Sequence, residues 1–122
     1  MPQYMLLMYQ PAEGGPRNAA GEPITSPEAM AEEHQRWVTF TQELKDAGLY
    51  VANNGLQGGE AATTVRVRDG ETQITDGPFA ETKELLAGYF LIDADDLDTA
   101  LEHAARMPNA TYGSVEVRPV WG

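Results

Sequence analysis

Tyr4 to Tyr9 is an unbroken apolar and aromatic run, the pattern of a strand covered on both faces. A polar stretch from Gln10 to Thr25 follows, with turn signals at Gly14-Gly15-Pro16 and Gly21-Glu22-Pro23. A loop of this length is either a lid or binding loop or a surface insertion, and its residues leave both open. Ser26-Pro27-Glu28 predicts a helix start: a side-chain cap, a proline suited to the first turn and an acid at the positive end of the dipole. Gly48 predicts its left-handed stop. Between them Met30, Trp37 and Leu44 recur every seven residues, flanked by Val38, Phe40 and Ala47, as one stripe facing a core. His34 and Thr41 fall inside that stripe.

Tyr50 to Leu56 predicts a short strand. Thr63 to Arg68 alternates apolar and polar positions, the period of a half-covered strand. Asp69-Gly70 is a hairpin turn, from which Glu71 to Thr75 returns antiparallel. Asp76-Gly77-Pro78 is a second tight turn, and Leu86 to Ile92 predicts a central strand. Asp95 to Met107 predicts a second helix, capped by Asp95, with Leu97, Ala100, Leu101 and Ala104 inward, His103 exposed, and Pro108 as its stop. Ser114 to Val120 closes as a strand.

This order predicts an α+β fold: a ferredoxin-like βαββαβ antiparallel sheet with two helices on one face, one domain over residues 1–122. Strands that are apolar on both sides leave a second sheet face to cover, which predicts a homodimer packed sheet face to sheet face.

Composition narrows the partners. The chain has 122 residues, 42% of them hydrophobic, enough for a core without staples. The net charge of −11, with eight Lys and Arg, opposes nucleic acids and anionic membranes, which need clustered cations. No apolar run reaches membrane-spanning length and no leader pattern opens the chain, so a cytoplasmic protein is expected. Without cysteine, thiolate chemistry and zinc–sulfur sites are excluded. No His spacing suits a metal, Gly55, Gly58 and Gly59 lack a phosphate-loop context, and Ser26 and Ser114 have structural explanations. No metal or redox cofactor is expected.

Residues Asp76 to Glu84 read Asp-Gly-Pro-Phe-Ala-Glu-Thr-Lys-Glu, followed by Leu85-Leu86-Ala87-Gly88-Tyr89-Phe90. This ordered segment resembles the signature of the DGPF branch of the YCII-related family. Tyr4-Met5-Leu6-Leu7, His34, Ala47-Gly48 and Val115 to Pro119 extend the similarity over nearly the whole chain. The resemblance implies a dimeric α+β barrel and a cleft holding a His and an Asp. On that basis His34 and Asp76 are the candidate catalytic pair. His34 would move a proton and Asp76 would orient it. Phe79, Glu81 and Lys83 are the candidate substrate-binding residues, with Phe79 as apolar wall and Lys83 meeting a carboxylate or oxyanion. Two readings follow. One is a cofactor-independent acid–base enzyme acting on a small, lactone-like molecule. The other is a non-catalytic ligand-binding or regulatory module, since DGPF-type proteins often accompany extracytoplasmic-function sigma factors. On physical grounds alone the same segment also reads as a tight turn and a solvated charge cluster, and His34 as a packed core histidine.

Overall fold

Eight elements appear in a computed structural model that describes residues 1–13 and 15–122. Gly14, in the first expected loop turn, lies outside the described residues. In chain order they are β1 (Gln3–Pro11), α1 (Pro27–Asp46), β2 (Tyr50–Gly55), β3 (Thr63–Arg68), β4 (Glu71–Asp76), β5 (Glu84–Asp93), α2 (Leu97–Ala104) and β6 (Ser114–Pro119). Four strands form one antiparallel sheet in the order β2-β5-β1-β6. The β3–β4 hairpin stands apart as a two-stranded sheet. The fold is the expected α+β, with two helices packed on an antiparallel sheet, and the hairpin is inserted between the second and third strands of a ferredoxin-like sheet.

Alternation along the strands builds the core. Tyr4 and Leu6 of β1 lie opposite Ile92 and Phe90 of β5, and Val117 lies opposite Leu6 from the other side. Phe40 and Leu44 of α1 and Ala100 and Ala104 of α2 cover this face. Trp37 stacks on Phe90 with ring centroids 6.2 Å apart, and Phe40 meets Phe90 edge-on at 5.1 Å. Burying each such large side chain stabilises the fold by about 1.5–3 kcal/mol. Asn109 has no exposed surface. Its amide donates to the carbonyls of Tyr9 (2.9 Å) and Ser114 (3.1 Å), tying the segment after α2 to the sheet.

The helix boundaries follow from local chemistry. Ser26 Oγ accepts the Ala29 N–H at 3.1 Å, and Gly48 ends the helix at φ 73°. The α1 face differs from the expected stripe: Met30, His34 and Val38 are exposed, and Glu33, Trp37, Phe40 and Leu44 turn inward. Glu33 tolerates its position because Arg36 Nη1 lies 2.7 Å from its Oε2. In α2 the cap is Asp96, not Asp95, with Oδ1 accepting the Thr99 N–H at 2.8 Å. Leu97 and Leu101 are each 46% exposed, whereas Ala100, His103 and Ala104 are buried. Small side chains let this helix lie close to the sheet, so the alanine face wins and His103 comes inside with it.

The other sheet face carries Met5, Leu7 and Tyr9 of β1, Tyr89 and Leu91 of β5, and Glu116 and Arg118 of β6. Leu86–Ile92 lies in a central strand as expected, and the coverage expected on both faces of Tyr4–Tyr9 is found on the helix side alone; on the outer side Met5, Leu7, Tyr89 and Leu91 are half-buried. The described residues between β1 and α1 bond to one another and at two points to the rest of the chain, through Ala12 to the Lys83 carbonyl and through the Ala19 carbonyl to Thr111 Oγ1. Arg17 and Pro23 form a bridge, Ile24 donates to Pro16 at 3.0 Å, and Arg17 Nη1 donates to the Gly21 carbonyl at 2.8 Å. At the opposite border of the sheet β1 begins beside the end of β6, where the Val120 N–H donates to the Gln3 carbonyl at 3.0 Å.

Candidate functional site

The segment leaving β4 is held as a wall. Gly77, at φ 91°, donates its N–H to the Ala62 carbonyl at 2.7 Å, and Thr64 Oγ1 donates to the Gly77 carbonyl at 2.8 Å. Arg66 Nη2 donates to the Phe79 carbonyl at 3.1 Å. Further on, the Ala12 N–H donates to the Lys83 carbonyl at 2.9 Å. Gly59 lets the facing loop approach, since a side chain there would meet Leu85 Cδ1 at 3.0 Å. The polar face of the hairpin and the residue after the end of β1 thus pin both ends of Pro78–Lys83.

Between this wall and the loop after β2 lies a cleft of 710 Å³. Leu56, Pro78, Phe79, Leu85 and Leu86 give it apolar sides, and Tyr9 closes it toward the outer sheet face. Phe79 is 77% exposed, with its ring offered to solvent. Such an aromatic-lined, concave, mostly apolar site with a few polar groups is the usual form of a small-molecule site. Glu84 stands at its rim; its Oε1 accepts from Ser114 Oγ at 2.7 Å. Tyr9 Oη donates to Glu116 Oε1 at 3.3 Å, and Glu116 pairs with Arg118. The hydrogen bonds from Arg118 hold the Glu116 carboxyl below its ordinary range, so it acts as acceptor for Tyr9.

The sequence-derived residues fall in separate places. Phe79 lines the large cleft. Glu81 and Lys83 line a neighbouring one of 550 Å³ with Glu13 and Arg17. His34 is exposed on α1, beside a third cleft with Pro16, Pro27, Met30 and Trp37. Asp76 is exposed at the end of β4 opposite Thr63. Among the described residues no hydrogen bond or ion pair joins His34 to Asp76, and neither side chain lines the cleft of Phe79.

Sequence reasoning passed over Tyr9, Leu56, Glu84 and Glu33. Tyr9 was legible as the last residue of an apolar strand, on the face that alternation gives it with Met5 and Leu7, but nothing local says that this face borders a cleft. Glu84 is the last residue of the recognised segment, where it reads as part of a solvated charge cluster, and Leu85 follows it. Glu33 gave no signal, because a buried acid beside a helical stripe looks like a solvated one.

Comparison with known proteins agrees with this architecture. An uncharacterized protein of Rhizobium meliloti (strain 1021) is 55% identical over 62 residues, 49% of this chain and 50% of that protein. The chain thus spans about half the length of that curated relative in the match. The model of the YCII-related domain matches residues 3–122, from the first residue of β1 to the last residue of the chain. By that match, the chain belongs to the YCII-related domain family.

Proposed function

We propose that this chain binds a small organic molecule in the cleft walled by the Asp76–Glu84 segment, as the DGPF-type, non-catalytic member of the two readings. The observation that carries it is the 710 Å³ apolar cleft with the exposed ring of Phe79 on its wall. The wall is also the segment in which the sequence resembles the DGPF signature. A homodimer through the outer sheet face would set a second copy beside Tyr9 and shelter the ligand, as apolar sheet faces favour.

The test is a titration with 4-phenyl-1-butanol, followed by backbone amide shifts. Leu56, Thr64, Leu85 and Leu86 should shift together, and Phe79→Ala should weaken binding at least threefold. Shifts elsewhere, or an unaffected Phe79→Ala, would overturn the assignment.

The enzymatic reading, with His34 and Asp76 acting on a lactone-like molecule, needs an arrangement that brings those two side chains together. A second copy of the chain is the natural source. Its signature would be lactone hydrolysis lost in both His34→Gln and Asp76→Asn, with melting temperature unchanged. Retained hydrolysis in either variant excludes the pair.

A further inference from the structure

The charge lining the cleft is of one sign. Among its described lining residues Glu84 is the one charged side chain; Gln57, Thr64 and Thr82 are neutral. The nearby cations are engaged elsewhere: Arg66 donates to the Phe79 carbonyl at 3.1 Å, and Lys83 lines the adjoining cleft with Arg17. One oxygen of Glu84 is fixed by Ser114 Oγ at 2.7 Å, and the other carries no hydrogen bond among the described residues. Two aromatic rings, Tyr9 and Phe79, border the same space, and ring faces attract cations. Tyr9 adds to this, because its hydroxyl proton is committed to Glu116, so its oxygen offers lone pairs to an incoming donor. The whole chain, at −11, draws cations toward the cleft and repels anions.

We propose that the ligand class is a hydrophobic organic cation: an amine whose ammonium meets the open oxygen of Glu84 and whose apolar body lies against Leu56, Leu85, Leu86 and Phe79. This rests on the ligand-binding reading of the cleft. It gives Glu84 the role of anchor, and it sets the carboxylate-bearing substrates expected for Lys83 outside this space. An ammonium–carboxylate contact is charge-assisted and stronger than a neutral hydrogen bond, so exchanging the ligand's charged end should change affinity more than exchanging its apolar end.

Three probes of one shape separate the outcomes: 4-phenylbutylamine, 4-phenyl-1-butanol and 4-phenylbutanoate, each titrated against the intact protein by amide shifts. The amine should bind at least tenfold more tightly than the alcohol, and the carboxylate more weakly than both. Glu84→Gln keeps an oxygen acceptor for Ser114 and should bring the amine to the affinity of the alcohol. Glu71→Gln removes the same net charge at the hairpin tip and should leave the amine preference intact. Raising the salt concentration should narrow the gap between amine and alcohol in the unaltered protein, a readout that needs no variant. If the alcohol shifts the cleft amides but the amine binds no better, or the carboxylate binds best, the cation assignment falls and the cleft reading stands. If neither the amine nor the alcohol moves those amides, both fall. An equal loss of amine affinity in Glu71→Gln and Glu84→Gln would replace the anchor with a general field effect and overturn the role of Glu84.

Discussion

Two buried side chains carry unusual weight. His103 is 9% exposed, and burial first, then the nearby Arg106, pushes its imidazole below its ordinary value; Glu102 and Glu43 oppose this. With the folded value lowered, the unfolded chain binds more protons between the two values, so stability rises with pH through that window. The contribution is present above the unfolded value of about 6.5 and is lost as pH falls toward the folded one. Melting temperatures at pH 7.5 and 5.5 should therefore differ less in His103→Gln than in the unaltered chain; an unchanged difference would remove His103 as the source. Asn109 makes the second case. Asn109→Ala removes the donor shared by the Tyr9 and Ser114 carbonyls and should cost about 1 kcal/mol in urea unfolding. Asn109→Asp points a carboxylate at those carbonyls and should cost more. A ranking in which the aspartate variant is the more stable would contradict the geometry at Tyr9 and Ser114.

Elements were legible where their signals are local. The Ser26 cap, the Gly48 stop and the Asp69-Gly70 turn, with φ 52° and 77°, formed where the residues demanded, because each depends on neighbours within a few positions. Ser26→Ala should accordingly cost about 1 kcal/mol of stability, and Ser26→Asp should restore it; equal denaturation midpoints for all three proteins would deny the cap its role. What was not legible is rotation about a helix axis. In α1 the expected seven-residue stripe of Met30, Trp37 and Leu44 competes with Glu33, Trp37, Phe40 and Leu44, and the ion pair to Arg36 lets Glu33 take its inward position. In α2 hydrophobicity favours Leu97 and Leu101, yet closeness to the sheet favours alanine. The same limit applies to the site. Phe79 was recognised within its segment and stands on the cleft wall, whereas the facing residues come from elsewhere, Leu56 from the loop after β2 and Tyr9 from β1. His34 sits one residue from the buried position, which rotates its side chain out to solvent.

At the scale of the whole molecule, the four-stranded sheet has one face closed by both helices and one half-covered. The proposed dimer uses the second. Light scattering after size exclusion should give twice the 13.3 kDa chain mass at micromolar concentration, and Leu7→Glu with Leu91→Arg should return a folded monomer. A monomer in the unaltered protein would remove the sheet-to-sheet assembly. No described helix is long and apolar enough to cross a membrane. The backbone bond from Val120 to Gln3 has a different consequence, for engineering. Because the start of β1 meets the end of β6 there, a short linker can join these two strands. New ends opened at Asp69-Gly70 interrupt only the hairpin tip and leave all four strands of the main sheet unbroken. The order in which the strands are synthesised can thus be permuted while every pairing in that sheet is kept, so its register becomes separable from its order along the chain.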